Sequence, residues 1–207
     1  MRKNKHIWLI MAGALMILSL EKANAQQFNA GFFGGITACQ VDGDLYSGFH
    51  KLGMTAGAFV NREIDYSIFW QLEIRYVSRG AYENFGPSVP TIDHAIYRII
   101  EFPLSAHYLY EDKLQFELGL SPEVLISYLH FDENGRTDPS LDPENRRLGL
   151  SMFAGLYYWF LPSTGVAFRY TYSVLPFRKP EEWNFARYRG FFHNVLSLSL
   201  VYRIKHP

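Results

Sequence analysis

The chain has 207 residues, with 20 Lys/Arg against 20 Asp/Glu, and 17% of its residues are aromatic. That length suits a single domain, and the balanced charge excludes the basic footprint of a nucleic-acid binder. One cysteine, Cys39, excludes an internal disulfide.

Residues 1–25 read as a secretory signal peptide. Arg2, Lys3 and Lys5 precede an uncharged apolar run of 14 residues, Ile7 to Leu20, and Ala23-Asn24-Ala25 supplies a small-x-small cleavage site. The run is shorter than the roughly 20 residues a membrane-spanning helix needs, so a retained anchor is the weaker reading. The expected organisation is a signal peptide over 1–25 and one barrel domain over 26–207. Removing the leader takes four basic residues and one acidic residue, leaving a net charge near −3. Cys39 lies 18 residues beyond the apolar run, too far for a lipoprotein processing site. It is read as an unpaired thiol near a strand end.

From residue 28 onward the dominant signal is apolar alternation with period two, which marks strands. It predicts eight strands, at 28–39, 52–60, 68–78, 95–110, 114–129, 148–160, 165–174 and 191–204. In the third, Trp70, Leu72, Ile74 and Tyr76 interleave with Gln71, Glu73 and Arg75. In the last, Leu196, Leu198, Leu200, Tyr202 and Ile204 alternate mainly with Ser197, Ser199 and Arg203. Pro103 and Pro122 fall inside strands and predict bulges or bends there. Leu148 to Phe168 is uncharged for 21 residues, but Pro162-Ser163-Thr164-Gly165 splits it into a hairpin.

The connectors alternate in length. Asn61–Ser67, Glu111–Lys113 and Leu161–Thr164 are short, whereas Gln40–Lys51, Arg79–His94, His130–Arg147 and Leu175–Gly190 are long and polar. That asymmetry fits tight periplasmic turns and long external loops.

The two faces of the strands differ in a way that separates a membrane barrel from a soluble one. One carries Leu, Ile, Phe, Trp and Tyr. The other carries Gly53, Thr55, Gly57, Gly119, Gly149, Ser151, Gly155, Ser197 and Ser199, with the charges Glu73, Arg75, Glu101, Glu117, Arg169 and Arg203. Small residues belong on the concave lumen, and the bulky apolar face is then convex. In water that face would be a very large exposed patch, whereas in lipid it is the required surface. No sheet edge can stay unpaired in hydrocarbon, so the sheet must close. The expected fold is therefore all-β: an eight-stranded antiparallel up-and-down transmembrane β-barrel in the outer membrane of a Gram-negative bacterium. Its lumen is just wide enough for side chains to fill. The six charges are read as a structural ion-pair network plugging the lumen, with a charge-lined conduction pathway as the rival reading.

The sequence resembles the PorT-like outer-membrane β-barrel family over essentially the whole of 26–207. The carriers are Gly34-Gly35-Ile36 leading to Val41-Asp42-Gly43, Lys51-Leu52-Gly53, Ala56-Gly57-Ala58-Phe59-Val60, Leu72-Glu73-Ile74-Arg75-Tyr76 with Arg79-Gly80-Ala81, Ile100-Glu101-Phe102-Pro103-Leu104, and Val195 to Arg203. Glu-x-Pro in the fourth strand is the most distinctive. Phe102 departs from the branched aliphatic residue usual there, and Ile204 replaces a terminal aromatic. The family's named member is linked to a protease secretion system, whereas many relatives have no assigned role, so the resemblance implies at most a secretion- or assembly-related barrel.

Rival chemistry rests on the loops. His50, Asp93, His94, His130, Asp132 and His193 near the outer rim offer general bases, but they lie on different loops within no nucleophile or zinc signature. Asp42-Gly43-Asp44 and Asp132 to Asn145 are oxygen-rich without the terminal bidentate Glu of a calcium loop. Arg178, Lys179, Arg187 and Arg189 with Trp183, Phe185 and Tyr188 would suit lipopolysaccharide phosphates, or simply an aromatic rim. The sequence thus predicts a non-enzymatic outer-membrane protein without cofactor or metal, structural or partner-binding. Its partners would be outer-membrane lipid, lipopolysaccharide, and proteins met through loops or periplasmic turns. A narrow channel is the alternative, and a loop-borne lipid- or protein-modifying enzyme stands behind it.

Overall fold

A computed structural model describes residues 28–42, 48–49, 51–84, 92–132, 135–137, 146–178 and 190–204. The leader at 1–25, His50 and most of the long connectors lie outside the described residues.

Ten β-segments are present: β1 (Phe28–Asp42), β2 (Lys51–Asp65), β3 (Ile68–Asn84), β4 (Ile92–Glu101), β5 (Leu104–Tyr110), β6 (Leu114–Asp132), β7 (Gly135–Thr137), β8 (Leu148–Trp159), β9 (Thr164–Ser173) and β10 (Phe192–Ile204). They form eight barrel strands. β4 and β5 are successive halves of one strand, both paired with β3 on one side and β6 on the other, and β7 is a short ribbon on β6. Every neighbour is antiparallel, and β10 returns to pair with β1 from Ala30↔Ile204 to Asp42↔Phe192. The sheet is closed, which removes the unpaired edges that hydrocarbon does not tolerate.

Three features bend the ladder, one of them a bulge at Ile64, skipped between Glu63↔Phe69 and Asp65↔Ile68. Pro103 brings no N–H, and the chain steps across it while β3 and β6 hold on: Glu73 N–H donates to Pro103 O and Phe102 N–H to Pro122 O, both at 2.9 Å. Pro122 keeps an unbroken register with Leu150 on one side, and on the other it faces the step between β4 and β5. A bulge lies at Ile126, skipped between Arg98↔Ser127 and Ile99↔Leu125. In a strand of period two, one extra residue exchanges the faces. Ser121 and Glu123 accordingly face inward below it, and Tyr128 faces inward above it.

Both walls follow from the alternation. Leu72, Ile74, Leu118, Phe168, Leu198 and Leu200 are exposed on the outside, whereas Gln71, Glu73, Arg75, Glu117, Arg169, Ser197 and Ser199 are buried inside. The lumen also holds large rings, Phe33, Phe59, Phe153, Tyr157 and Trp159, although bulky aromatics as a class were expected on the lipid face. Glycines on adjacent strands make their room. A Cβ on Gly57 would strike the Phe33 ring, one on Gly31 the Phe59 ring, and one on Gly119 the Phe153 ring. Two apolar clusters result. Phe33, Phe59, Trp159 and Val201 pack toward the short-turn end. Val41, Tyr97, Tyr128 and Phe177 pack toward the long-connector end.

Candidate functional site: the lumen and its outer rim

Counting strands round the barrel places β9 opposite β3, so a side chain from one can meet a side chain from the other only across the full lumen. Arg169, on β9, makes that crossing. Its Nη2 donates to Glu73 Oε1 at 2.6 Å and its Nη1 to Glu73 Oε2 at 3.1 Å. The same guanidinium binds Glu117 of β6, with Nε to Oε1 at 2.6 Å and Nη2 to Oε2 at 2.7 Å. All three residues are under 5% exposed, so these charges are paired away from water, where pairing matters most.

Neighbours fill the remaining hydrogen-bond sites. Gln71 Nε2 donates to Glu73 at 2.9 Å, and the Tyr157 hydroxyl donates to Glu117 at 3.1 Å. Arg75 Nε lies 3.4 Å from Glu73, and its guanidinium stands 4.5 Å from the Phe33 ring centroid. Beside this group, Trp159 Nε1 donates to Gln115 Oε1 at 2.8 Å. That contact fixes the Gln115 amide, so its Nε2 donates to His107 Nδ1 at 2.7 Å. His107 Nε2 must then carry the ring proton, and it faces Ser105 Oγ at 2.8 Å. The imidazole is neutral and fully engaged.

A second charged group sits nearer the outer end. Arg79 binds Glu101, and its Nη1 lies 3.0 Å from Glu123 Oε2. Ser151 donates to the same Glu123 oxygen at 2.9 Å. Above it, the Phe177 ring stacks on His193 at 3.9 Å between centroids, and Tyr97 meets His193 edge-on at 5.0 Å. Phe177 comes from the connector after β9, not from a barrel strand. It is held by its N–H to Phe191 O at 3.0 Å and by Arg146 N–H to its own carbonyl at 2.7 Å. This segment closes over a low stretch of wall, because the β8–β9 ladder stops at Ser151↔Ser173 while β1 and β10 run on to Asp42↔Phe192.

Of the six lumen charges expected from sequence, the structure brings Glu73, Arg75, Glu117 and Arg169 into one cluster. Glu101 belongs to the other, with Arg79 and Glu123. Arg203 stands apart near the short-turn end, its guanidinium 4.1 Å from the Trp159 ring centroid. Sequence reasoning missed Arg79 because the third strand was ended at residue 78, one position before it and six short of the observed end at Asn84. It missed Glu123 and His107 although both keep the inward parity of Glu117 and Glu101, a signal that was available.

The rim residues are rearranged. His193, expected on the outer rim, is buried in the lumen, 1% exposed. Asp93, His94, His130 and Asp132 were expected on separate loops, yet β4 and β6 run through them and place His130 opposite Ala95, beside His94. Their side chains lie outside the described residues, as do Gly43, Asp44, Lys179, Trp183, Phe185, Arg187, Tyr188 and Arg189. Arg178 forms a bridge with Phe191 and lies 5.5 Å from that ring's centroid. Cys39 faces inward, its Sγ 3.8 Å from Thr37 Oγ1 and from Ser78 O.

The sequence matches the family described as "Outer membrane protein beta-barrel domain" over residues 24–177. No curated protein matches the chain. Among solved structures, it is similar to Ail, the attachment invasion locus protein of Yersinia pestis, in complex with the heparin analogue sucrose octasulfate. The identity is 13% and the TM-score 0.54, over 86% of this chain and 99% of Ail. A second Ail structure gives 12% and 0.50 over the same shares. Neisserial surface protein A gives 12% and 0.46, over 86% of this chain and 97% of that one. At such identities the Ail likeness concerns the fold, a closed eight-stranded antiparallel barrel. The family match spans most of the chain, and the apolar outer wall is the surface such a family requires: the chain belongs to the outer membrane protein β-barrel domain family and is a barrel of the Gram-negative outer membrane.

Proposed function

We propose that this barrel is non-conducting and non-enzymatic, its lumen plugged by its own side chains, and that it serves a structural or partner-binding role through its rim, turns and lipid-facing wall. The observation that carries this reading is the ion pair between Arg169 and Glu73, which spans opposite walls, with Glu117 closing the third side at 2.6 Å. A solute path would have to break it and leave buried charges without partners. Phe177 and the aromatic cluster around it add a second barrier at the outer end.

Within the family, the Glu101-Phe102-Pro103 step and the glycine-rich first two strands support a PorT-like subgroup. The partner class that follows is a secretion or assembly machine, alongside outer-membrane lipid and lipopolysaccharide. The non-enzymatic reading draws support from the two described lumen histidines, since His107 is fully engaged and His193 is buried, stacked on Phe177 with Tyr97 edge-on.

The test has two arms. Proteoliposomes containing the purified barrel are expected to exclude small sugars as well as protein-free vesicles do; rapid swelling would favour the channel. Gentle solubilisation of native outer membranes should retain a stable protein complex. Recovery of the barrel alone would count against the partner-binding role.

A further inference from the structure

The outer end of the lumen contains a small cavity beside Phe177, whose lining includes Tyr97, Glu123, Arg146, Arg147 and His193. Its volume is about 20 Å³, room for one water-sized group. Tyr97, Glu123, Phe177 and His193 are buried, whereas Arg146 and Arg147 are exposed. The cavity therefore opens on the side of the two arginines, at the long-connector end of the barrel.

Two buried groups in this lining are open to a ligand. His193 is 1% exposed, and neither of its ring nitrogens has a hydrogen-bond partner among the described residues. Phe177 covers one face of the ring at 3.9 Å between centroids, which leaves the edge carrying both nitrogens. Glu123 commits Oε2 to Ser151 and Arg79. Its Oε1 lies toward Gly149, 2.5 Å from where a Cβ would stand, so the absent side chain keeps that oxygen accessible.

The cavity thus presents an acceptor, Glu123, and an imidazole able to donate. A hydroxyl satisfies both, because it donates and accepts through one atom. An ammonium has no lone pair for His193, and a carboxylate has no proton for Glu123. At the opening the preference reverses. Guanidinium groups bind a carboxylate through paired N–H donors, and a carboxylate sets less negative charge near Glu123 than a phosphate ester does.

We propose that the outer mouth binds a hydroxylated carboxylate of the sugar-acid type, with one hydroxyl between His193 and Glu123 and the carboxylate on Arg146 and Arg147. The site lies above the Arg169 cluster and leaves it closed. The proposal rests on the preceding reading, in which the rim makes the specific contacts, and adds the place and the ligand class.

The experiment places the purified barrel in nanodiscs of phosphatidylcholine and follows binding of D-glucuronate by saturation-transfer NMR. Cyclohexanecarboxylate supplies the charge without hydroxyls, and glucose supplies hydroxyls without the charge. Wild type is expected to bind D-glucuronate about tenfold tighter than either, the scale of one charge-assisted hydrogen bond. The pair Arg146→Gln/Arg147→Gln should bring D-glucuronate down to the level of glucose. His193→Phe should bring it down to the level of cyclohexanecarboxylate, and His193→Gln, which keeps an N–H donor, should restore the preference. Heat-modifiable electrophoretic mobility verifies folding, and the arginine pair carries the test if His193→Phe does not insert. Equal binding of the three probes, or a D-glucuronate preference unchanged in the folded variants, would overturn the proposal. Failure of the plugged-barrel reading would register separately, as solute flux through wild-type vesicles.

Discussion

Arg169 concentrates the energetics of the lumen in one side chain. Replacing it by methionine leaves Glu117 without its cation and Glu73 with Arg75 alone at 3.4 Å, and breaking a buried pair in this way costs about 3 to 5 kcal/mol. Urea titration of folding into lipid vesicles should show that loss. Adding Glu117→Gln to Arg169→Met should recover most of it, since the uncompensated carboxylate goes with the arginine while Glu73 keeps Arg75. Gly155 matters for the same site. A Cβ there would strike the Glu117 carboxylate, so Gly155→Ala should destabilise by about 1 to 3 kcal/mol through overpacking, in the same titration. At this scale the sequence was legible only in part. Residue type and parity placed Glu73, Arg75, Glu117 and Arg169 on one face, but nothing in one sequence says that Arg169 reaches across to β3 while Arg203 stays beside Trp159. The large inward rings were hidden for a related reason: whether Phe33 fits inside depends on Gly57, which is 24 positions away and next to it only after pairing.

At the scale of elements, the turn between β5 and β6 carries backbone strain. Glu111 and Asp112 both adopt left-handed backbone, with φ of 49° and 57°, a pair of conformations that favours Asn-Gly. Replacing them by Glu111→Asn and Asp112→Gly should therefore stabilise the barrel by about 1 kcal/mol, read as a higher urea midpoint with an unchanged slope. The bulge at Ile126 makes the opposite kind of demand. Deleting Ile126 restores one-for-one pairing and turns Tyr128 away from Tyr97, whose ring centroid it now approaches at 4.7 Å. Cysteines placed at 128 and 129 should exchange their accessibility to a membrane-impermeant thiol reagent in a Cys39→Ala background. Unchanged labelling would show that the bulge does not set the faces above it. Strand existence was legible from alternation, and all eight barrel strands coincide with expected segments. Their outer ends were not, because β1, β3, β4 and β6 run up to six residues past the apolar alternation. There the apolar period of two lapses, while the backbone ladder continues to Asp42 on β1, Asn84 on β3 and Phe131 on β6.

For the whole molecule, closure and membrane placement follow from one sorting of side chains. An apolar convex wall demands lipid, lipid forbids open edges, and eight closed strands leave a narrow lumen lined by buried side chains; the proposed function has these side chains plug it. Single-channel recording in planar bilayers tests that account most directly. Purified wild-type barrel should show no steady open conductance, and Arg169→Ala, with its cross-lumen pair removed, should admit more ion current than wild type. A large and stable conductance from the wild-type protein would contradict the plugged lumen.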